Sequence, residues 1–363
     1  MTSFKVLALG GDGIGPEVVA SGLRLLEAVA AAEGIEVDIE EDLLHGAAWD
    51  AYGTFCRDET LAAAKAADAI LVGAVGGSKW DEIRVPGGPE MQDGLMRLRK
   101  VLDTYAGLRP ARAWPQLESL TPFRPGLATS ADVMVLREMA GGPFFTETRG
   151  IETRDGRRHG FDLSTYDENE IARIAQVGFQ LARGRRGKLC SVDKANVMET
   201  YVLWREVVGE VGRDYPDVEL THMYADNCAY QLARRPADFD VILADNLLGD
   251  ILSDQAGAIA GSLGMLPSAC LCGLPQPRER CAAIYEAVHG SAPDIAGQGI
   301  ANPIGTLLSV AMMWEYSFAR PDLARRIEAA VESAIEAGHR TPDLGGTATT
   351  DGLTNAVIEA FRA

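Results

Sequence analysis

The sequence predicts an α/β protein built on a largely parallel sheet. Short apolar runs at residues 6–9, 69–75 and 241–244 have the length of buried strands. Segments with apolar residues at helical spacing lie between such runs, and this alternation is typical of parallel sheets covered by helices. A length of 363 residues exceeds a typical single core and predicts one or two domains. Because no linker-like segment or internal repeat divides the sequence, two domains would be interwoven.

The first strand and the first helix can be placed closely. Residues 6–9 run into glycines, Pro16 opens an apolar-periodic stretch that continues to Val29, and Gly34 stands where the helix should end. The following residues alternate as in a strand, at Ile35, Val37 and Ile39. In the polar segment 148–162, Asp155-Gly156 predicts a hairpin turn. That segment is either a surface loop or a protruding arm used in dimer contact.

The glycine-rich turn after the first strand does not indicate a conventional Rossmann fold. Its glycines stand at positions 10, 11, 13 and 15. A dinucleotide-binding turn requires the spacing G-x-G-x-x-G, which is absent here. A generic strand-to-helix turn is therefore the better local interpretation.

Composition limits the classes of partner. The net charge of −18 argues against nucleic acid or an anionic membrane as the main partner, although local arginines can still bind an anionic substrate. The N-terminus lacks the apolar length of a signal peptide, and no run approaches the roughly 18 apolar residues of a spanning helix. Of the six cysteines only Cys270 and Cys272 are close, so reduced thiols and a cytoplasmic location are expected.

The most informative segment for function is DNLLGDILSDQ at residues 245–255. Asp250 and Asp254 are four residues apart in a stretch with helical apolar spacing, so both carboxylates share one helix face. A third carboxylate, Asp226, lies upstream in the sequence YADN at 224–227. Three converging carboxylates with no lysine between them suit Mg²⁺ or Mn²⁺. The alternative is a solvated acidic helix end.

Basic residues in three other segments suggest a site for an anion. Arg99, Arg109 and Arg137 each offer a guanidinium fork that binds a carboxylate in a bidentate way, so together they suit a dicarboxylate. Any one of them alone would more often form a surface salt bridge. Lys194, in SVDKANV at 191–197, can accept a proton if burial or a nearby cation lowers its pKa. A lone lysine is more often only a solvated charge.

The segment HGSAPD at residues 289–294 is a candidate cofactor site. It offers small residues, accessible backbone amides and one carboxylate, Asp294, which suits a ribose hydroxyl. A carboxylate at such a place favours NAD and repels the 2′-phosphate of NADP. The alternative is a plain turn.

These motifs, in this order, resemble the β-decarboxylating dehydrogenases. The resemblance runs from Gly11 to about Asp343, and DKANV at 193–197 favours the isopropylmalate branch over the isocitrate and tartrate branches. The matching words are GDGIGPEV (11–18), GAVGGSKWD (73–81), LRK (98–100), LRP (108–110), SVDKANV (191–197), GDILSD (249–254), GSLGMLPSA (261–269), HGSAPDIAG (289–297) and ANPIGT (301–306).

The resemblance implies a two-domain isopropylmalate dehydrogenase-like fold. Residues 1–104 and 262–363 would form the first domain, and residues 105–261 would form the second, with the dimer arm. A homodimer would share its active sites between subunits. The substrate would be 3-isopropylmalate, oxidised and decarboxylated in leucine biosynthesis.

The resemblance also implies roles for individual residues. Asp250 and Asp254 of one chain and Asp226 of the other would ligate Mg²⁺ or Mn²⁺, and Lys194 of the partner chain would assist removal of the C2 hydroxyl proton. The malate carboxylates would be held by Arg99, Arg109 and Arg137. Leu95 and Val197 would form the pocket for the alkyl branch. NAD would be contacted by Asn196, Glu286, His289, Gly290, Ser291, Ala292, Asp294 and Asn302.

The sequence departs from the family pattern near the substrate. Phe144 stands where the family has the tyrosine that acts as general acid, and two additional residues lie between Glu90 and the LRK word. Tyr230 lies four residues after Asp226 and shares its helix face, so we expect it either to replace the missing hydroxyl across the dimer or to pack at the interface.

These departures leave two alternative functions open. The first is the same chemistry on another 2-hydroxy diacid, such as another 3-alkylmalate, malate, D-malate or tartrate. The second is a catalytically weakened paralogue that serves as a partner or regulatory subunit. The aspartates, the lysine and the three arginines, all present, argue against the second.

Overall fold

A large mixed sheet covered by helices organises the chain. The structure is a computed structural model that describes residues 3–275 and 283–363. Within these residues ten strands form one sheet in the order β2-β1-β3-β12-β11-β4-β5-β10-β8-β9, and β6 pairs with β7 as a separate hairpin. The strands are β1 Ser3–Gly11, β2 Glu36–Asp42, β3 Ala69–Ala74, β4 Ala106–Arg112, β5 Asp132–Glu138, β6 Arg149–Arg154, β7 Arg157–Asp162, β8 Lys188–Asp193, β9 Glu219–Tyr224, β10 Val241–Ala244, β11 Pro267–Leu271 and β12 Ala283–Ala287.

The helices follow the strands in the alternation that the sequence predicts. The α-helices of the described residues are α1 Gly15–Glu33, α2 His45–Tyr52, α3 Asp58–Ala66, α4 Gly94–Leu102, α5 Glu168–Arg183, α6 Glu199–Gly212, α7 Ala225–Arg234, α8 Asn246–Ala256, α9 Ile304–Tyr316, α10 Pro321–Glu336 and α11 Thr350–Arg362. Helix α9 is buried along most of its length, from Ile304 to Trp314, and forms part of the main core.

Most strand pairs are parallel, but the centre of the sheet is not. The pairs β12–β11, β11–β4 and β4–β5 are antiparallel, and all other pairs in this sheet are parallel. The strands from both ends of the chain (β1–β3, β11 and β12) lie in one half of the sheet, and those from the middle lie in the other half. A division into two domains after residues 104 and 261 stays a prediction.

The local predictions for the first βα unit are confirmed. Helix α1 runs to Glu33, and Gly34 ends it in the left-handed conformation with φ of 66°, where glycine carries no steric penalty. Strand β2 contains Val37 and Ile39 of the alternating residues, whereas Ile35 lies just before the strand. The Asp155-Gly156 turn joins β6 to β7 with both residues at positive φ, as a two-residue hairpin turn requires.

Cysteine chemistry differs from the expectation at one position. Cys56, Cys190, Cys228 and Cys270 are free and buried, but Cys272 is disulfide-bonded. The expectation of reduced thiols throughout is therefore wrong at Cys272. Cysteine spacing along the sequence does not by itself show which thiols will be oxidised. No helix within the described residues is long and apolar enough to cross a membrane.

The glycine-rich turn is shaped by close packing. Gly13 has φ of 58°, and a Cβ there would lie 1.9 Å from the carbonyl oxygen of Ser291. The amide of Ile14 donates to the same oxygen at 2.8 Å. The turn is therefore pressed against the 289–294 segment, which explains Gly13 without a phosphate-binding role.

Replacement of Gly13 by alanine should cost much more stability than replacement of Gly34. Both residues have positive φ, so each alanine carries about 1 kcal/mol of backbone cost. A Cβ on Gly34 would meet no atom within 4 Å, whereas a Cβ on Gly13 would meet Ser291 at 1.9 Å. This clash should raise the total loss at Gly13 to about 3 kcal/mol. Urea unfolding of the two variants measures the difference, and equal losses would show that the turn is not pressed against Ser291.

Candidate active site

Two carboxylates project from one face of α8. Asp250 and Asp254 are one turn apart, and their side chains are 45% and 58% exposed. Asp245 begins the helix, because its carboxylate accepts a hydrogen bond from the amide of Leu248 at 2.8 Å. Burial raises the pKa of Asp254, the charge of Arg109 lowers it, and the charge of Asp250 raises it; the net shift is upward. A cation between the two carboxylates would relieve their mutual repulsion.

Two arginines from adjacent strands meet these carboxylates. Arg109 on β4 and Arg137 on β5 lie diagonally across an antiparallel pair, on the same face of the sheet. Arg109 Nη1 donates to Ser253 Oγ at 2.8 Å and lies 3.8 Å from an oxygen of both Asp250 and Asp254. Arg137 Nη1 forms an ion pair with Asp250.

The third arginine approaches from α4. Arg99 pairs with Glu286 of β12. Burial opposes the positive charge of Arg99, but the Glu286 carboxylate outweighs it, so the pKa of Arg99 lies above its usual range. Arg99 was predicted to bind substrate and Glu286 to contact the cofactor. In this structure the two side chains bind each other, so a ligand of either must compete with that pair.

The site has an excess of buried positive charge. Burial, followed by the charges of Arg109 and Arg99, lowers the pKa of Arg137 to about 10 despite the opposing effect of Asp250. The Nε atoms of Arg99 and Arg109 are buried without a hydrogen-bond partner. Unpaired donors and mutually repelling guanidinium groups favour an anion with more than one carboxylate.

Sequence reasoning missed Asn246, which holds Arg137 in place. Its Oδ1 accepts hydrogen bonds from Arg137 Nε at 3.0 Å and Nη2 at 2.7 Å, and its Nδ2 donates to the carbonyl of Gly141 at 2.9 Å. Asn246 therefore fixes the guanidinium and the turn before Phe144 at once. A Cβ on Gly249 would lie 2.7 Å from Arg137 Cγ. The glycine therefore allows α8 to pack closely against the Arg137 side chain. The GD pair at 249–250 was a signal for this approach.

A second missed group lies behind the same turn. Glu138 is fully buried and accepts hydrogen bonds from the amides of Ala140 at 2.8 Å and Gly141 at 2.9 Å. Burial raises the pKa of Glu138 to about 7 despite these bonds. Tyr166 packs beside it, and the Tyr166 hydroxyl accepts a bond from the amide of Asn246 at 3.0 Å. No sequence motif indicated this network.

Phe144 closes one side of the site. The Arg137 guanidinium carbon lies 5.7 Å from the centre of the Phe144 ring, within the range of a cation–π contact. Beyond Phe144 opens a cavity of about 880 Å³. Its lining includes Arg84, Asp93, Met96, Phe144, Glu147 and Arg149. Residues of the segment with the two additional residues therefore line this cavity together with Phe144.

Lys194 and Asp226 form an exposed pair. Lys194 Nζ donates to Asp226 Oδ1 at 2.6 Å, and this bond lowers the pKa of Asp226. Tyr230 follows on α7, 56% exposed, and its hydroxyl accepts a bond from Arg234 Nη1 at 3.2 Å. The delivery of Lys194, Asp226 and Tyr230 to a partner's site stays a prediction.

The predicted apolar pocket residues differ in burial. Leu95 lies on α4, one turn before Arg99, and is buried in the smaller apolar core of the first strands. Val197 is 68% exposed, and its neighbour Asn196 is also exposed. Among the described residues, therefore, both side chains are open to solvent, and their roles in an alkyl pocket and at NAD stay predictions.

The candidate cofactor segment offers unsatisfied polar groups. His289 Nε2 is buried without a hydrogen-bond partner, and burial lowers the pKa of His289. Gly290 and Asp294 are exposed, Ser291 is buried, and Ala292 takes a positive φ of 37°. Asn302 is also buried, but its amide already donates to Asp343 at 2.9 Å. His289 and Asp294 therefore fit a polar ligand best.

One chain supplies an incomplete set of metal ligands. The described part of the chain contains no group of three His, Cys, Asp or Glu side chains that is placed to hold a metal ion. Asp250 and Asp254 fit two ligand positions for a hard cation, because they are adjacent, accessible oxygens. Asp226 lies on another helix, bound to Lys194. A cation on Asp250 and Asp254 would need further oxygen ligands, such as those of water or of a bound substrate.

The fold and site define a class of enzyme. The sequence matches the isocitrate/isopropylmalate dehydrogenase family over residues 5–360, and the chain belongs to this family. It is a decarboxylating dehydrogenase of a small-molecule substrate, in a family that needs a nucleotide cofactor and a metal ion.

Relatives of known name are similar over nearly the full length. The chain is 52% identical to the 3-isopropylmalate dehydrogenase of Chromohalobacter salexigens, covering 99% of each chain. It is 50% identical to that of Aquifex aeolicus, covering 95% of this chain and 92% of the relative. The structure resembles crystalline isocitrate dehydrogenase from Methylococcus capsulatus with a TM-score of 0.86 and 32% identity, covering 99% of this chain and 100% of that one.

Glu138 should make stability depend on pH. Because its pKa is raised from 4.5 to about 7 in the folded state, the protonated acid stabilises the fold below pH 4.5, and this contribution is lost as pH rises to about 7. The free energy of unfolding should therefore fall, relative to Glu138→Gln, by about 3 kcal/mol across that window, at about 1.4 kcal/mol per pKa unit. Urea titrations at several pH values measure this. The exposed Glu59→Gln is the control, and parallel curves for wild type and Glu138→Gln would contradict the expectation.

Proposed function

We propose that the protein oxidises and decarboxylates 3-isopropylmalate to 4-methyl-2-oxopentanoate in leucine biosynthesis, with NAD and Mg²⁺ or Mn²⁺, in the cytoplasm. One observation carries the proposal: Arg109 and Arg137 converge on the Asp250–Asp254 face. That arrangement places dicarboxylate-binding donors beside candidate metal ligands. The names of the relatives that are about 50% identical support the choice of substrate.

Different residues of the chain would bind the substrate, transfer the proton and contact the cofactor. The arginines would orient the two carboxylates, with Asn246 keeping Arg137 at a fixed angle. Lys194 would take the C2 hydroxyl proton, and Asp226 beside it would hold the lysine near that hydroxyl. Asp250 and Asp254 would hold a divalent cation, which would supply Lewis acidity, and bound NAD would supply a hydride acceptor. His289 and Asp294 would contact the nucleotide.

Protonation of C3 after loss of CO₂ needs a donor other than Phe144. The phenyl ring carries no exchangeable proton, and it packs over Arg137. We propose that Tyr230 of the partner subunit supplies the hydroxyl, since Tyr230 shares a helix face with Asp226 and its side chain is exposed. A turnover number for Tyr230→Phe equal to that of wild type would exclude this role and leave Tyr230 as an interface residue.

A homodimer with shared sites accounts for several exposed apolar side chains. Exposed large apolar residues are candidates for a contact surface between chains. They occur on α7, α8, the β6–β7 hairpin and the loop after β8, at Tyr230, Leu247, Ile251, Ile151, Phe161 and Val197. We propose that these surfaces meet in a two-fold dimer, with β6–β7 as the arm, and that residues 105–261 form the dimerising domain.

A second candidate is the same reaction on another 2-hydroxy diacid. The cavity of about 880 Å³ beyond Phe144, bordered by the segment with two additional residues, favours it. Its lining contains both charged and apolar groups, which allows a C3 substituent other than isopropyl. The crystal structure with TM-score 0.86 is named as an isocitrate dehydrogenase, so isocitrate belongs in the same test.

NADH formation across a panel of diacids tests the substrate. With Mn²⁺ and NAD, kcat/KM should be larger for 3-isopropylmalate than for other 3-alkylmalates, D-malate, tartrate or isocitrate. A pocket methylene is worth about 1–3 kcal/mol, so the preference over D-malate should exceed tenfold. The Arg109→Lys variant, measured on the same panel, should bind all diacids more weakly to a similar extent, because it removes the guanidinium fork that binds a carboxylate. A clearly larger kcat/KM for another diacid would show that this diacid, and not 3-isopropylmalate, is the substrate.

Mixing two inactive variants tests the shared site. Lys194→Met and Asp250→Asn should each abolish turnover as homodimers, but a heterodimer would keep one complete site with Asp250 from one chain and Lys194 from the other. Equal mixing after subunit exchange should restore about a quarter of wild-type activity, since half of the dimers are mixed and each has one site. A mixture of Asp250→Asn with Asp254→Asn is the control and should stay inactive. No recovery in the first mixture would show that each chain is complete alone.

A further inference from the structure

Helix α4 is anchored at both ends by charged side chains. At its C-terminal end Arg99 pairs with Glu286. At its N-terminal end the Asp93 carboxylate accepts hydrogen bonds from the amides of Leu95 at 2.7 Å and Met96 at 2.9 Å. Asp93 lies in the segment with the two additional residues. The position of Leu95, and hence of the proposed alkyl pocket, therefore depends on what holds the Asp93 end.

A buried histidine faces that end of the helix. His45 begins α2 with φ of 55°, a left-handed conformation that is unfavourable for residues other than glycine. Its amide donates to the carbonyl of Phe55 at 2.7 Å, and its ring lies 4.9 Å from the Phe55 ring. Trp80 meets the imidazole edge-on at 6.3 Å. These contacts hold the imidazole in one orientation despite the backbone cost.

The imidazole lies between two carboxylates. His45 Nδ1 is 2.8 Å from Asp12 Oδ2, and Nε2 is 3.9 Å from Asp93 Oδ2. Asp12 is fixed, because it also accepts hydrogen bonds from the amides of Gly46 at 3.1 Å, Ala47 at 2.8 Å and Gly76 at 2.9 Å. His45 therefore connects a rigid acceptor on the glycine-rich turn to the cap of α4.

The charged groups that act on His45 are carboxylates. They belong to Asp12 on the turn after β1, Asp93 at the start of α4, and Asp81 in the loop after β3. Burial alone would lower the pKa of His45, but the hydrogen bond to Asp12 and the charges of Asp93, Asp12 and Asp81 outweigh it, and the net shift is above 6.5. The doubly protonated ring donates to Asp12 from Nδ1 and places its positive charge 3.9 Å from Asp93 at Nε2, whereas the neutral ring carries no charge to attract Asp93.

We propose that His45 is a positioning residue that, as an imidazolium, ties the Asp93 cap of α4 to Asp12 and thereby sets Leu95 in the alkyl pocket. This inference rests on the proposed function only for the identity of the pocket's ligand. The bridge is complete below the ordinary pKa of histidine, because the pKa is raised in the folded state. It is lost as pH rises through the folded-state pKa. Arg99 keeps its partner Glu286 throughout, so the loss affects the alkyl branch more than the carboxylates.

The charge bridge can be measured without substrate. The chain has five histidines, so ¹³Cε1-labelled histidine gives few NMR signals, and His45→Asn assigns the one that matters. Asp93→Asn keeps a capping side chain but removes the charge, and it should lower the pKa of His45 by about one unit. Asp167→Asn, at the cap of α5, makes the same change where no histidine is paired, and should leave the signal unmoved. An unchanged pKa in Asp93→Asn would overturn the bridge.

The positioning role is measured by substrate selectivity against pH. In the wild type the KM for 3-isopropylmalate, relative to the inhibition constant of D-malate, should rise as His45 loses its proton. The rise should not exceed about tenfold, because the lost charge contact with Asp93 is worth about one pKa unit and limits the free energy that can reach the pocket. His45→Asn tolerates the positive φ and should show a flat, high ratio. Asp93→Asn should be flat as well, and Asp167→Asn should follow the wild type.

The two outcomes separate this inference from the proposed function. A ratio that rises equally in wild type and His45→Asn would overturn the positioning role even if the NMR coupling is present. Failure of 3-isopropylmalate to turn over would instead overturn the proposed substrate. The NMR titration would still decide the bridge, and the same ratio would then be measured with the alkylated diacid that the panel selects.

Discussion

The arrangement of the site depends on the contact of Arg137 with helix α8. This guanidinium is held on one side by Asn246 and on the other by Asp250, both on α8, while Arg137 itself belongs to β5. Gly249 lets the helix approach the arginine closely enough for both bonds. A buried guanidinium without these acceptors would carry a desolvation cost of several kcal/mol. The contact therefore sets the position of the helix that presents the candidate metal ligands.

The same region contains buried groups of both signs, with the positive charges in excess. Arg99 and Glu286 neutralise each other, Arg109 faces two carboxylates at 3.8 Å, and Glu138 holds its proton to higher pH than an exposed acid does. The guanidinium Nε atoms of Arg99 and Arg109 stay unpaired. A buried N–H group without an acceptor costs free energy, so these two donors do not stabilise the fold as they stand. A bound dicarboxylate would give these donors acceptors, which is consistent with a role in substrate binding.

Several features were predictable because they are local. The Gly34 cap, the Asp155-Gly156 turn and the shared face of Asp250 and Asp254 follow from backbone preferences and helical spacing within a few residues. Asn246, Glu138 and His45 were not predicted. Each has partners on other elements, and His45 and Asp12, for example, are 33 residues apart in the chain. Neither composition nor periodicity encodes which distant side chain a buried polar group will meet.

The sequence alone determined the fold class, the family and the kinds of chemical group available, because motif words fix local geometry and residue chemistry. Only the tertiary structure decided how those groups are paired: Arg99 with Glu286, Lys194 with Asp226, and His45 between Asp12 and Asp93. The sheet order, with antiparallel strands at its centre, brings Arg109 and Arg137 to one face. Such pairings depend on burial and distance, which arise when distant segments pack together and have no counterpart along the chain.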